Sequence, residues 1–177
     1  IIADTHLLYN QAMPTLHFHP QVFHVVIGCR KNCFPQGISQ YIESVIIQQQ
    51  LSPLSIRSIS TIELKKDEPL LQELQACFPD SELHIYQADE LKDINIPNPS
   101  DKVFEVTGVY GIAESSARKS ARSGPLLIEK QKGMLKEGND FTFALAQDAA
   151  SYRKGHIEIV GAGPGDPELI SVRGRRM

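Results

Sequence analysis

Three short segments of the sequence combine basic and acidic side chains in a way that suits an anionic ligand. They are residues 28–33 (GCRKNC), 63–68 (ELKKDE) and 129–132 (EKQK), and each follows a strand-like run. A fourth segment, residues 107–114 (TGVYGIAE), opens a predicted helix and ends in a carboxylate. Lysine and arginine side chains gathered on a chain of net charge −3 would make a local cationic surface, which favours a polycarboxylate or phosphate ligand.

The candidates for ligand contact lie in these four segments: Gly28, Cys29, Arg30, Lys31, Lys65, Gly108, Gly111 and Lys130. The alternative is that the basic side chains are ordinary solvated surface. Three carboxylates lie in the same segments. Asp67 and Glu68 precede Pro69 and predict a helix start, with Asp67 as the N-cap residue and Glu68 beside the helix dipole. Glu114 lies one helical turn past Gly111 and is equally well explained as a surface carboxylate.

Cys29 and Cys33 do not have the spacing of a metal site, because they do not form a CxxC pair and no second cysteine or histidine pair completes one. With Cys77 the chain has three cysteines, which are too few and odd in number for a disulfide framework. We therefore expect free thiols, no metal and a reducing cytoplasm. The alternative is a nucleophilic Cys29, since a helix N-terminus and Arg30 would lower the pKa of its thiol. No partner base has a diagnostic spacing.

Strand-like and helix-like segments alternate along the chain. Apolar or alternating runs predict strands at residues 22–28, Ile56–Ile62, 83–86, 126–129 and 141–146. Apolar residues at helical spacing predict helices over residues 38–51, 67–78, 88–94 and 111–122. This alternation predicts an α/β fold, namely a three-layer α/β/α sandwich with a mixed, largely parallel sheet.

A mainly parallel sheet brings the carboxyl ends of its strands to one edge, where ligands of such folds bind. Residues 28–31, 63–68 and 108–114 are therefore expected to line one concave face.

The composition excludes several classes of protein. The 177 residues, of which 41% are hydrophobic and 22% charged, resemble an ordinary soluble globular domain, which argues against disorder as the main state. No stretch approaches about 18 consecutive apolar residues, so we expect no membrane-spanning segment. The net charge of −3 argues against a nucleic-acid partner.

The chain divides into three parts. Residues 1–21 mix histidines and prolines without periodicity and are interpreted as a linker or leader, and residues 22–150 form the main domain. Residues 151–177 contain a strand-like run (HIEIV) and a glycine-rich turn (GAGPGDP), as at the start of a further domain. This turn is not a dinucleotide-binding fingerprint, because Pro164 and Pro167 oppose the helix that it requires.

Four ordered motifs carry a resemblance to a known family. VIGCRKNC, TIELKKDE, TGVYGIAESSA and IEKQK…FTFALA resemble the C-terminal domain of cobalamin biosynthesis protein CbiG, which is shared with the stand-alone protein CobE. The resemblance covers about residues 22–148 and implies an α/β/α sandwich with a mixed sheet. The sequence departs from the family's usual GCRRG or GCRKG at Asn32.

The resemblance implies a function in corrin synthesis. Family members act on cobalt-precorrin-5A, opening its ring-A δ-lactone and releasing acetaldehyde. Such a reaction needs a base, for which Glu114, Asp67 and Glu68 are candidates, and cations for the peripheral carboxylates of the substrate. Cobalt enters as part of the substrate, and this part of the protein is expected to need no cofactor. The alternative is a CobE-like module that binds or hands over a corrinoid without chemistry of its own.

The run HIEIVGAGPGDPELISVRGRR resembles the first strand and loop of a tetrapyrrole methylase that uses S-adenosylmethionine, and is more similar to the precorrin-4 C11 type than to the C17 type. The resemblance implies that the parent protein joins upstream CbiG domains, this domain and a methylase. Residues that would belong to the cofactor site of the methylase are Gly161, Gly163, Gly165 and Asp166. One strand and one loop cannot enclose a cofactor, so this motif is expected not to function by itself. We also expect this part of the protein to bind a corrinoid without turnover.

Overall fold

The sheet has five strands in the order β3-β2-β1-β5-β4. The structure is a computed structural model that describes residues 17–91, 112–134 and 140–152. The strands are β1 (Phe23–Cys29), β2 (Ile56–Ile62), β3 (Glu82–Tyr86), β4 (Leu126–Met134) and β5 (Asp140–Gln147). β1 pairs in parallel with β2, and β2 with β3, whereas β5 pairs antiparallel with both β1 and β4. Four strands thus run in one direction, which confirms the predicted mixed, largely parallel sheet.

In the described part of the chain, three α-helices pack on the sheet: α1 (Ile38–Gln48), α2 (Pro69–Cys77) and α3 (Ile112–Ser120). Short 3₁₀ turns occur at Pro53–Ser55, Glu63–Lys65, Ala88–Leu91 and Ala149–Tyr152. Every fourth residue along α1 is buried, as its isoleucine spacing predicts. None of the helices within the described ranges is both long and apolar enough to cross a membrane.

The two faces of the sheet have side chains of different size. Val25 of β1 joins the main core with α1 and α2, whereas its neighbour Val26 packs against Ala117 of α3 and Ala121, which directly follows α3. Successive side chains of a strand point to opposite faces, so this division places helices on both sides and makes three layers. Large apolar side chains fill the α1–α2 side, and alanines and serines let α3 lie close to the other side.

The prediction of a loop at residues 129–132 is wrong, because these residues lie inside β4. Lys130 is therefore on a strand at the edge of the sheet, and β5 separates that strand from β1. An edge strand tolerates lysines, since they face water and hinder pairing with another chain. Charged residues in this position made a strand resemble a loop.

Two predicted helices also have different bounds. The helix expected over residues 38–51 ends at Gln48, and Gln50 has a left-handed backbone with φ of 60°. The segment predicted as a helix over residues 88–94 begins as a 3₁₀ turn at Ala88–Leu91, and the rest of it lies outside the described residues.

Candidate functional site

The loops that follow β1 and β2 meet at the carboxyl edge of the sheet. The backbone N–H of Asn32 donates a hydrogen bond of 2.9 Å to Oε2 of Glu68, which comes from the other loop. Asn32 has φ of 56°, a left-handed conformation that asparagine adopts more readily than most residues. Parallel pairing of β1 with β2 explains the approach, since both strands end at the same edge. We call residues 28–34 together with residues 63–68 the strand-end site.

Glu68 is the buried carboxylate of this site, with 8% of its surface exposed. It occupies the N-cap position of α2, yet its side chain does not cap the helix; it instead accepts the bond from Asn32 and lies 3.5 Å from Nζ of Lys65. The prediction of Asp67 as the N-cap residue is wrong. Asp67 is exposed and lies one residue too early, because Pro69 takes the first helical position.

The other predicted members of the site are outside the described residues or described only in part. Glu114 lies in the first turn of α3, and the described residues include its backbone alone. Gly108 and Gly111 lie outside the described residues, as do Gly161, Gly163, Gly165 and Asp166 of the methylase-like motif. Lys130 is not part of the strand-end site, because it lies on β4.

The cations of the site mostly have carboxylate partners of their own. Arg30 donates a 2.9 Å hydrogen bond to Asp140 at the start of β5, and its side chain is largely exposed. Lys65 pairs with Glu68 at 3.5 Å. Lys31 is exposed and makes no ion pair with another residue of the described ranges. The Arg30–Asp140 pair is exposed, and such pairs contribute about 1 kcal/mol or less, so a ligand carboxylate can compete for Arg30.

Cys29 is not an activated nucleophile in this structure. Burial, and next the negative charge of Glu68, raise the pKa of its thiol to about 12, and the thiol is hydrogen-bonded to Cys33. Burial also raises the pKa of Cys33. The alternative that the sequence offered, a lowered pKa for the Cys29 thiol, is therefore wrong. Arg30 is hydrogen-bonded to Asp140, and α1 begins nine residues beyond Cys29. Within the described ranges, no three histidine, cysteine or carboxylate side chains converge on a metal position.

Sequence reasoning missed two apolar residues of the site. Phe34, immediately after the loop of β1, and Leu64, in the loop of β2, are 55% and 67% exposed. The sequence did contain a sign of this, namely an apolar residue inside a polar loop, because Leu64 is flanked by Glu63 and Lys65.

A second polar cluster, which the sequence did not indicate, lies at the opposite end of β1. Nδ1 of His24 is 2.8 Å from Oγ of Ser58, and Nε2 of His24 is 3.5 Å from Oδ2 of Asp148. The composition is that of a catalytic triad, but Ser58 is fully buried, so a substrate has no access to its hydroxyl. This cluster is structural, and it joins β1, β2 and the end of β5.

The His24 cluster predicts a loss of stability in mild acid. Burial is the largest influence on the pKa of His24 and lowers it from 6.5, although Asp148 opposes the shift; Arg57 and His84 lower it further. The unfolded chain therefore binds one more proton once the pH falls below about 6.5. From His24 we expect the free energy of unfolding to be constant between about pH 6.5 and about pH 7.5 and to fall below that range, by at most about 1.4 kcal/mol per pH unit.

Urea denaturation between pH 5 and pH 7.5 measures this effect. A His24→Gln variant should lose this pH dependence, whereas His84→Gln, on the half-exposed strand β3, should keep it. Asp148 does not titrate in this pH range. Burial raises the pKa of its carboxyl, but the hydrogen bonds from the N–H of Ala150 and from His24 outweigh burial and lower that pKa below 3.8. An identical slope in wild type and His24→Gln would contradict the prediction.

Comparisons with known proteins agree on one family. The family model described as "Cobalamin synthesis G C-terminus" matches residues 23–146. A curated relative, the cobalt-precorrin-5A hydrolase of Priestia megaterium, is 35% identical over 115 residues, which cover 65% of this chain and 30% of the relative. The chain thus matches less than a third of the length of that relative.

Two solved structures share the fold. The crystal structure of CobE, a protein from the cobalamin (vitamin B12) biosynthetic pathway, superposes with a TM-score of 0.60 at 23% identity, covering 71% of this chain and 93% of CobE. A cobalamin biosynthesis protein G homologue from Sulfolobus solfataricus gives a TM-score of 0.54 at 18% identity and covers 80% and 42% of the two chains. At these identities the likeness concerns the fold alone.

Proposed function

This chain belongs to the cobalamin synthesis G C-terminus family, and we propose that its strand-end site binds a carboxylated corrinoid as part of a cobalt-precorrin-5A hydrolase. The observation that carries the proposal is the convergence of Arg30, Lys31 and Lys65 at the ends of two adjacent parallel strands. The strand-end site has four basic and three acidic side chains, and Lys31 makes no ion pair within the described ranges. On a chain of net charge −3, this small local excess of positive charge favours an acidic small ligand. Cobalt would enter this site as part of the substrate.

We propose different roles for the carboxylates. Opening a lactone requires a base that activates water and cations that stabilise the developing oxyanion. Glu68 is already held by Asn32 and Lys65, so we assign it first as a positioning residue that fixes the loop carrying Arg30 and Lys31. Asp67 is exposed to solvent, and together with Glu114 it remains a candidate for the base itself.

A binding module is the second candidate function, and the partial coverage of the hydrolase favours it for this part of the protein. The match covers only 30% of the hydrolase, so most of that relative lies outside it. We therefore propose that residues 22–150 bind the corrinoid and that turnover requires the other CbiG domains. We further propose that residues 151–177 begin a precorrin methylase that uses S-adenosylmethionine, and that the protein works in the cytoplasm.

A comparison of two corrinoids tests the proposal. Cobyrinic acid carries carboxylates around the corrin ring, whereas cobinamide carries amides in their place. We expect absorbance titration to give tighter binding of cobyrinic acid, and this preference should weaken with salt because it is electrostatic. Equal affinities for the two corrinoids would contradict the proposal. Release of acetaldehyde from cobalt-precorrin-5A by this chain would contradict the assignment of turnover to other domains.

Lysine variants test whether the ligand binds at the strand-end site. Lys31→Gln and Lys65→Gln should each weaken cobyrinic acid binding roughly threefold to fivefold, as expected for loss of an exposed charge contact of about 1 kcal/mol or less. Glutamine retains a hydrogen-bond donor, so the contact of residue 65 with Glu68 can persist. The control is Arg57→Gln, which removes one positive charge at the amino end of β2, the end opposite to the strand-end site, and should leave the affinity unchanged. An equal loss in the control would show a general charge effect.

A further inference from the structure

The strand-end site displays two apolar side chains beside its cations. Leu64 immediately precedes Lys65, and Phe34 follows Arg30 and Lys31 in the same loop. Their exposures of 67% and 55% contrast with those of neighbours, since Ile62 and Cys33 are buried. One exposed apolar residue is unremarkable on a protein surface, but here two loops that meet at one edge each contribute one.

The backbone holds both residues in place. Leu64 is the central residue of the 3₁₀ turn Glu63–Lys65, and the N–H of Lys66 donates to the carbonyl of Glu63 at 3.3 Å. On the other loop, buried Cys33 directly precedes Phe34, and the N–H of Ile38 donates to the carbonyl of Pro35 at 3.1 Å. Both apolar side chains therefore project from anchored turns, and a ligand need not order the chain to contact them.

We propose that Phe34 and Leu64 form the surface on which the corrin macrocycle lies, while the neighbouring cations bind its peripheral carboxylates. This inference rests on the proposed function and adds the apolar half of the site. The observation that supports a corrin as the ligand is that its distribution of charged and apolar groups matches that of the site. A macrocycle has a broad apolar face with carboxylates at its periphery, and the site has apolar side chains with Lys31 and Lys65 beside them.

Matched serine variants test the inference. The variants are Phe34→Ser and Leu64→Ser, and the probe is dicyano-cobyrinic acid followed by its absorbance. The chain offers controls of the same residue types and similar exposure: Phe18→Ser, at 60%, precedes β1, and Leu54→Ser, at 69%, precedes β2. Leu54 thus lies at the amino end of β2, away from the strand-end site. Thermal melts verify that all four variants remain folded.

We expect Phe34→Ser and Leu64→Ser each to weaken binding roughly tenfold, because burial of a large apolar side chain contributes at least that factor. The loss should be the same at low and high salt, which distinguishes it from the loss in the lysine variants. The controls should bind as the wild type does. Unchanged affinity in both site variants, or an equal loss in the controls, would overturn the inference.

The outcomes separate this inference from the proposed function. If cobyrinic acid and cobinamide bind equally, the electrostatic proposal fails. If Phe34→Ser and Leu64→Ser still weaken binding in that case, the result supports the apolar surface alone. If the preference for carboxylates persists but Phe34→Ser and Leu64→Ser bind normally, only the apolar surface is overturned. Absence of any corrinoid binding overturns both. Loss of self-association in the site variants, without a change in corrinoid affinity, assigns the surface to a second copy and also overturns the inference.

Discussion

Replacing Gly124 with alanine should destabilise the protein by about 3 kcal/mol or more, the range of severe overpacking. A Cβ atom at this position would lie 1.8 Å from the carbonyl oxygen of Gln147 and 2.8 Å from the nitrogen of Ala149. Both are backbone atoms, and they are held in place because the N–H of Ala149 donates to the carbonyl of Ala121 at 3.0 Å. The end of α3 and the end of β5 would have to separate to admit a methyl group.

The effect of Gly124→Ala is measured by urea or thermal denaturation, with Gly28→Ala as the control. A Cβ at Gly28 would approach only a side-chain atom, Oγ1 of Thr142, at 3.0 Å. Rotation of that side chain can relieve the contact, so the expected cost is about 1 kcal/mol, and Thr142→Ala in the same chain should recover part of it. A Gly124→Ala protein as stable as Gly28→Ala would show that the two segments do not pack this closely.

Replacing Phe143 with alanine should cost about 3–5 kcal/mol in the free energy of unfolding. Phe143 is fully buried on β5, opposite Ile27 of β1, and its ring meets Tyr41 of α1 edge to face at 6.3 Å. Removing the ring leaves a cavity between the sheet and α1, which neighbouring side chains fill only in part. Chemical denaturation measures the change.

Phe34→Ala provides the matched control for Phe143→Ala. The same substitution is made, but the side chain of Phe34 is 55% exposed, so the expected change in stability is within about 0.5 kcal/mol. If both variants lose similar stability, the division of these phenylalanines between the core and the surface is wrong. The control also shows whether corrinoid binding at the strand-end site can be altered without altering the fold.

Local patterns in the sequence were sufficient to predict most elements of the fold. Period-two alternation located β2 at Ile56–Ile62 with the bounds that the structure has, and the isoleucines of α1 recur at helical spacing. These patterns are informative because a strand or a helix must bury one face, whatever it packs against. The alternation of helices and strands then restricted the topology to an α/β sandwich, whose carboxyl edge was the expected place for a ligand.

The roles of individual site residues depended on contacts between distant parts of the chain. Arg30 pairs with Asp140, 110 residues away, and Glu68 accepts a hydrogen bond from the backbone of Asn32 instead of serving α2. Burial and the charge of the same Glu68 raise the pKa of Cys29, whereas one alternative from the sequence was a lower pKa and a reactive thiol. Electrostatic effects act over a few ångströms in space, so they depend on which loops the topology brings together. The sequence by itself therefore determined the elements and the edge at which they present their loops, and only the tertiary structure decided the partner of each charge.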